Sequence, residues 1–492
     1  MLNSVHKILS QSAKAVPQKL AFITPSDSIT YISLDEKSSA LATQILNLNI
    51  NKSPILIILP KGIEAIISFF GVLKSGNFYT IIDENMPLER INKIIRTLCP
   101  ALLITSKDLA LNLDLLTIFI DDLPGFKPDQ TILNSVKIID TDLAYTLFTS
   151  GSTGEPKGVS ISHKSLIDFT IACVNDLEID DSHVIANQAP FYFDLSVFDI
   201  YVNIYARATA HILPKSIFAF PLKVLEYLRV NNITTILWVP SVLVYFANSN
   251  ALNNIDLSLK MIMACGEMMP TKQLNIWIKA IANVKFYNLY GPTESTLASS
   301  YYMVNRELRD DEILPIGKAF SNTELLVFDE DMKLITKPNI KGELYIRGSG
   351  LSYGYYNDPV KTAKAFIQNP LQSSYAEPIY KTGDIVAYDE CGDLIYYGRQ
   401  DSQIKLNGFR IELGEIETAL GAHPDIHRVA CIFKDYQIIA FYESANVITN
   451  LKEFLKSKLQ EYMIPRKFIH KSKFKLNQNG KIDKEALKNE WS

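Results

Sequence analysis

A chain of 492 residues is too long for one compact domain, and its 47% hydrophobic and 21% charged composition is that of an ordinary globular protein. A formal net charge of −4 without any basic run excludes a nucleic-acid-binding footprint, and no apolar stretch reaches the length of a membrane span. Met1 to Lys7 lack the features of a secretory signal, and Cys99, Cys173, Cys265, Cys391 and Cys431 form neither metal-ligand spacing nor a disulfide framework, so a reducing cytoplasm is the expected location.

In chain order, Ile55 to Leu59 reads as a strand, and Lys61 to Lys74 as a helix with Ile63, Ile66, Ile67, Phe70 and Leu73 at helical spacing. Phe78 to Ile82 is the next strand, Leu88 to Leu98 a helix with Ile91, Ile94, Ile95 and Leu98 on one face, and Ala101 to Thr105 another strand. Further on, Leu222 to Val230 reads as helix, and Thr234 to Val239 and Leu259 to Ala264 as strands. Strands alternating with helices imply parallel sheets covered on both faces. Past the strand Leu394 to Tyr397 the pattern changes. Glu412 to Leu420 and Leu451 to Tyr462 read as helices, Val429 to Phe433 and Gln437 to Tyr442 as strands, so a small α+β domain is expected from Asp401 to Ser492 after a large one over 1–400.

The segment Leu147-Phe148-Thr149-Ser150-Gly151-Ser152-Thr153-Gly154-Glu155-Pro156-Lys157-Gly158 runs from an apolar strand into glycines and hydroxyl residues ending at a lysine. Glycines let backbone N–H groups approach phosphate oxygens, hydroxyls donate further hydrogen bonds, and the lysine adds positive charge. The bland alternative is a flexible surface turn. A Walker A loop requires Gly-Lys-Ser/Thr, and here Pro156 precedes Lys157 and Gly158 follows it, so that reading fails.

This loop resembles the phosphate loop of the adenylate-forming superfamily of acyl-CoA synthetases, luciferases and amino-acid adenylation domains. Tyr290-Gly291-Pro292-Thr293-Glu294, Tyr380-Lys381-Thr382-Gly383-Asp384, Gly398-Arg399-Gln400-Asp401, Ile404 to Glu412 and Asn479-Gly480-Lys481-Ile482-Asp483 are similar to that family's later motifs, in the same order. The resemblance implies an α/β fold: a large N-terminal domain of doubly covered parallel sheets plus a β-barrel-like part, then a small, mobile α+β C-terminal domain. It implies ATP as co-substrate. Thr149, Ser150, Gly151, Ser152, Thr153, Gly154 and Lys157 would cradle phosphate, and Thr293 would donate to the α-phosphate beside the turn at Gly291. Glu294 would hold a magnesium ion, which prefers carboxylate and phosphate oxygens. Tyr290 and Asn288 would meet adenine, and Asp384 the ribose, with Arg399 and Tyr396 alongside. Lys481 would bridge the substrate carboxylate and ATP, a cation lowering the cost of joining two anions. Asp401 would be the pivot for the small domain, and Gly408-Phe409-Arg410 would face the incoming thiol. Singly, Asp384 could be a turn residue, Tyr290 core and Glu294 solvated surface; their joint order favours the functional reading.

Asn187 to Asp199 separates amino-acid activators from fatty-acid ones. Asp194 stands in an apolar stretch, and a substrate ammonium group gives that carboxylate its reason; the alternative is a helix-capping aspartate. By the resemblance, the pocket comprises Asp194, Leu195, Phe198, Leu237, Met263, Cys265, Gly266, Leu289, Leu297 and Ala298. Apart from Asp194 these are apolar or weakly polar, which leaves room for little more than a methyl group. The Asn187 to Val197 stretch, Cys265-Gly266-Glu267 and Tyr462 to Phe468 resemble most the D-alanine–carrier-protein ligases that feed D-alanylation of teichoic acids. In those enzymes the cysteine abuts the α-carbon; otherwise Cys265 is a small buried residue. No Gly-Gly-x-Ser attachment site follows Lys481, so the expected acceptor is a separate phosphopantetheinylated carrier protein, with no nucleic-acid partner and no membrane insertion. The rivals are a stand-alone peptide-synthetase adenylation domain for an L-amino acid, an acyl-CoA synthetase, and an inactive binding module.

Overall fold

The computed structural model describes residues 3–109, 113–151, 154–253, 255–475, 482 and 484–491. The chain divides into two compact units: Met1–Glu84, Cys99–Leu147 and Gly158–Gln400 form the first, and Asn85–Leu98, Phe148–Lys157 and Asp401–Ser492 the second.

Short, largely apolar runs build the first unit. Pro54–Ile58 and Phe78–Ile82 are buried throughout, as strands covered on both faces must be. They lie side by side and parallel in a six-stranded sheet with Thr117–Phe119, Leu102–Thr105, Leu143–Thr149 and Lys157–Ser162. A nine-stranded sheet has the parallel centre Lys285–Tyr290, Met261–Cys265, Thr235–Trp238, Val184–Asn187 and Thr209–Ile212, in that spatial order. Parallel neighbours need a crossover, and helix Ile63–Lys74 supplies one. It buries almost its whole circumference, so it lies inside the core rather than on its surface. That core joins Ile55 and Ile57 of one sheet to Ile185, Leu237 and Met263 of the other.

An antiparallel five-stranded sheet completes the unit, with Thr323–Phe328, Gly342–Gly348, Pro378–Tyr388 and Phe366–Gln368 in order and Leu394–Arg399 paired to Pro378–Tyr388.

The second unit is α+β. Strands Gln403–Leu406 and Phe409–Glu412 form a hairpin that turns at Asn407 and Gly408, with φ of 52° and 80°. Two positive φ values in a two-residue loop match the right-handed twist of the strands, and Asn-Gly adopts them at least cost. Helix Leu413–Gly421 and the three-stranded sheet Ile426–Lys434, Gln437–Ser444, Lys467–Lys471 follow. The expected helix Leu451 to Tyr462 is shorter: it ends at Lys456, and a 3-10 turn spans Glu461–Met463. Leu451, Leu455, Leu459 and Met463 are all buried in one core nonetheless. The break lets Tyr462 stack on Phe409, rings 3.7 Å apart, which a continued helix would not. No described helix is long and apolar enough to cross a membrane.

Candidate active site

In the first unit, Asp384 and Arg399 are register partners on neighbouring antiparallel strands, and Arg399 Nη1 donates to Asp384 Oδ1 at 2.8 Å. Tyr290, the last residue of its strand, donates its hydroxyl to Asp384 Oδ2. Burial, reinforced by the Asp384 charge, pushes the Tyr290 phenol well above its ordinary range, so it remains a donor. Tyr396 lies beside it, ring centroids 6.3 Å apart. A carboxylate oriented by a guanidinium and a phenol still has acceptor capacity on both oxygens, which is what a pair of ribose hydroxyls requires.

The loop after Tyr290 is under backbone constraint. A Cβ on Gly291 would stand 2.5 Å from Ala298 Cα and 2.7 Å from Leu297 O, so no larger residue fits. Thr296 and Leu297 both adopt left-handed φ, 59° and 71°, unusual for a β-branched and a bulky residue and costing on the order of 1–3 kcal/mol each. Ser299 N donating to Tyr290 O at 2.7 Å and Thr296 Oγ1 donating to Gly350 O at 2.7 Å hold the loop closed. The loop carries Thr293 and Glu294 on a single 3-10 turn. Glu294 is fully buried and accepts from the Tyr355 hydroxyl at 2.8 Å. The Asn288 side chain donates to Pro315 O at 2.7 Å, which fixes its amide in place. Nothing in the side chains of Thr296 and Leu297 signals left-handed backbone, so this constraint is invisible in the sequence.

The pocket candidates gather on one sheet face. Leu237 is the register partner of Met263, and Cys265 that of Leu289. Register partners share a face, and so do residues two apart, so all four side chains point the same way. Leu195, Phe198, Leu297 and Ala298 belong to the same buried cluster. The intervening residues Ile236, Trp238, Ile262 and Ala264 belong to a different core on the opposite face. Gly266, with φ of 102°, brings its backbone close to Leu195: a Cβ there would lie 4.0 Å from Leu195 Cδ1. Asp194 is half-buried in a turn where Val197 N donates to its backbone carbonyl at 2.9 Å. Its charge acts on Tyr145, whose phenol is pushed up mainly by burial and by Tyr79, then by Asp194.

In the second unit, Gly154 N donates to Gly151 O at 3.0 Å, and a Cβ on Gly151 would collide with Glu155 O at 2.1 Å. Thr149 Oγ1 lies 3.5 Å from Lys157 O across the loop. Ser150 Oγ donates to Arg410 O at 2.8 Å, and Lys157 Nζ stands 3.9 Å from Glu412 Oε1. Lys93 donates to Gly154 O at 3.1 Å. Arg90 and Glu415 form a buried ion pair, and burial pushes the Glu415 carboxyl up. Asp401 accepts from Gln403 N at 3.1 Å at the start of the hairpin. Ser152, Thr153 and Lys481, with Asn479, Gly480 and Asp483, lie outside the described residues.

The AMP-binding enzyme family matches residues 9–356. The chain is 33% identical over 516 residues to the D-alanine–D-alanyl carrier protein ligase of Bacillus cytotoxicus, covering 98% of this chain and 99% of that protein. It is equally 33% identical over 491 residues to a linear gramicidin synthase protein of Brevibacillus parabrevis, where 98% of this chain spans only 6% of that protein's length. Among solved structures it is similar in fold to NpsA-ThdA, an artificially fused adenylation–PCP di-domain NRPS from Klebsiella oxytoca, with a TM-score of 0.84 at 24% identity over 95% of this chain and 94% of that one.

Proposed function

We propose, on the premise that this chain belongs to the AMP-binding enzyme family, that it activates a small amino acid, D-alanine above others, and passes it to the thiol of a phosphopantetheinylated carrier protein. The family is one of adenylate-forming ligases that consume ATP. The cytoplasm is the compartment we assign it.

Adenylation joins two anions, so the site has to supply positive charge and fixed donors where negative charge builds. Asp384, held by Arg399 and Tyr290, would grip the ribose. Thr293 would donate to the α-phosphate as the carboxylate attacks and pyrophosphate leaves, and Lys157 and the backbone from Thr149 to Gly154 would hold the phosphates. A buried carboxylate on a turn beside Thr293 suits a hard cation that takes most of its ligands from phosphate and water, so Glu294 would hold magnesium, whose charge offsets that of the phosphates. Lys481 would bridge the two reacting anions.

The observation that carries the choice of acid is the single apolar face made by Leu237, Met263, Cys265 and Leu289 with Leu195 and Phe198, beside a half-buried Asp194. One carboxylate beside an apolar wall suits an ammonium group and a small side chain. ATP–pyrophosphate exchange across D-alanine, L-alanine, glycine, serine and valine tests it: D-alanine should lead, and preference for an L- or bulky residue transfers the chain to the peptide-synthetase reading that its gramicidin-synthase relative favours. In the same assay Asp194→Asn should raise the amino-acid KM by about a hundredfold and leave the ATP KM nearly unchanged. Coenzyme A replacing the carrier as thiol acceptor would point to an acyl-CoA synthetase.

A further inference from the structure

Asp194 sits on a loop that leaves strand Val184–Asn187 and ends in the π-helical turn Phe198–Val202. The two ends of that loop are tied together. Asn187 Nδ2 donates to Asp199 Oδ2 at 2.5 Å and to Ala189 O at 3.1 Å. A third residue, Lys61, reaches in from the start of a different crossover and donates to Gln188 O at 3.2 Å and Ala189 O at 3.5 Å. Asn187 is also the register partner of Leu237, so the tie is built onto the pocket wall itself.

The arrangement is expensive where it stands. Asn187 and Asp199 are fully buried. Burial pushes the Asp199 carboxyl up to about 7 and pulls the Lys61 ammonium down to about 7, while each charge pulls the other back. Well-packed apolar residues would stabilise such a spot at least as well, so the polar groups contribute geometry rather than stability. Asp199 stands at the start of the π-helical turn Phe198–Val202, a geometry common at functional sites, and from there accepts from Asn187.

We infer that Lys61, Asn187 and Asp199 are positioning residues, a clasp at the base of the loop that sets where Asp194 meets the substrate's ammonium group. The inference rests on the reading of Asp194 given above. None of the three needs to touch substrate. Lys61 fixes the backbone that leaves the sheet, the Asn187–Asp199 bond fixes where it returns, and Asp194 lies between.

The test is steady-state ATP–pyrophosphate exchange with the preferred amino acid, on Lys61→Met, Lys61→Arg, Asp199→Asn and Asp194→Asn. Lys61→Met should raise the amino-acid KM about tenfold, since a loosened loop misplaces a charge-assisted contact, and leave the ATP KM within about twofold. Lys61→Arg, which still donates to both carbonyls, should recover most of the loss. Asp199→Asn keeps an acceptor for Asn187 and should fall between, and it stands in for Lys61→Met should that variant fail to fold. An unchanged amino-acid KM in Lys61→Met, an equal rise in both KM values, or no rescue by arginine overturns the clasp. If Asp194→Asn raises the amino-acid KM while Lys61→Met does not, the clasp alone fails; if neither does, the role of Asp194 fails with it.

Discussion

The wall of the proposed amino-acid pocket and the loop-and-hairpin region of the second unit are held by different forces. Leu237, Met263, Cys265 and Leu289 are placed by the register of parallel strands inside a buried core, so none moves without its backbone. Ser150 and Lys157 meet the hairpin through Ser150 to Arg410 O and Lys157 to Glu412, and helix Leu88–Leu98 holds Gly154 through Lys93 to Gly154 O. Each such polar contact is worth only about 0.5–1.5 kcal/mol, within reach of thermal exchange. On the proposed function, selectivity would belong in the rigid region, and any step that needs a change of geometry in the other.

The sharpest way to break that contrast is a polar contact of the second unit that is not cheap. Arg90 and Glu415 are almost completely buried, and removing one partner strands the other charge. Arg90→Met should cost the second unit about 3–5 kcal/mol, measured by denaturant unfolding, while Arg90→Met with Glu415→Met should recover most of it. A double variant no better than the single would mean that the pair contributes through packing instead. Next comes Lys481→Ala. If the reaction uses a movable region, this variant should lose adenylation by about 10²–10³-fold yet transfer acyl groups from preformed adenylate at nearly the normal rate. Equal loss of both half-reactions would end the idea that the second unit serves the two steps differently.

The contrast also separates what is legible in the sequence from what is not. Phe78–Ile82 and Leu88–Leu98 stand where their apolar patterns put them, because a strand buried on both faces and an amphipathic helix each write their environment into consecutive residues. That Leu237, Met263, Cys265 and Leu289 share a face depends on register between distant strands, and only the resemblance to a known family makes them candidates. Asn407-Gly408 carries a strong hairpin signal that its place in a family motif overshadows. The helix expected from Leu451 is too long because its four-residue apolar spacing continues across the break. The left-handed Thr296 and Leu297 and the tie between Lys61, Asn187 and Asp199 leave no local trace, since tertiary partners impose both.

Met263 tests the rigid side. Truncation to alanine in a wall that cannot collapse should leave room for extra methylenes, so Met263→Ala should shift preference from alanine toward valine by about tenfold in kcat/KM. A uniform loss for every amino acid would show that the wall is not rigid.

The smallest effect concerns acid, and it is expected in the first unit. His163 is buried, and its Nδ1 accepts from Val5 N at 3.2 Å, a bond that only the neutral ring can make. Burial pulls its pKa from 6.5 down to about 4, against the opposing pull of Asp142 and Asp140. As pH falls below 6.5 the unfolded chain therefore takes up a proton that the folded protein refuses until about pH 4, and stability drops through that window. Between pH 7 and pH 6 the loss is about 0.7 kcal/mol. His163→Gln keeps an acceptor for Val5 and cannot titrate, so its melting temperature should fall less over that interval. His6, pulled down to about 3 chiefly by burial, keeps its own share, so the variant should flatten the pH dependence without abolishing it. An unchanged slope in His163→Gln would mean that the ring takes up its proton as readily in the folded protein as in the unfolded chain, so that the bond from Val5 does not hold it neutral.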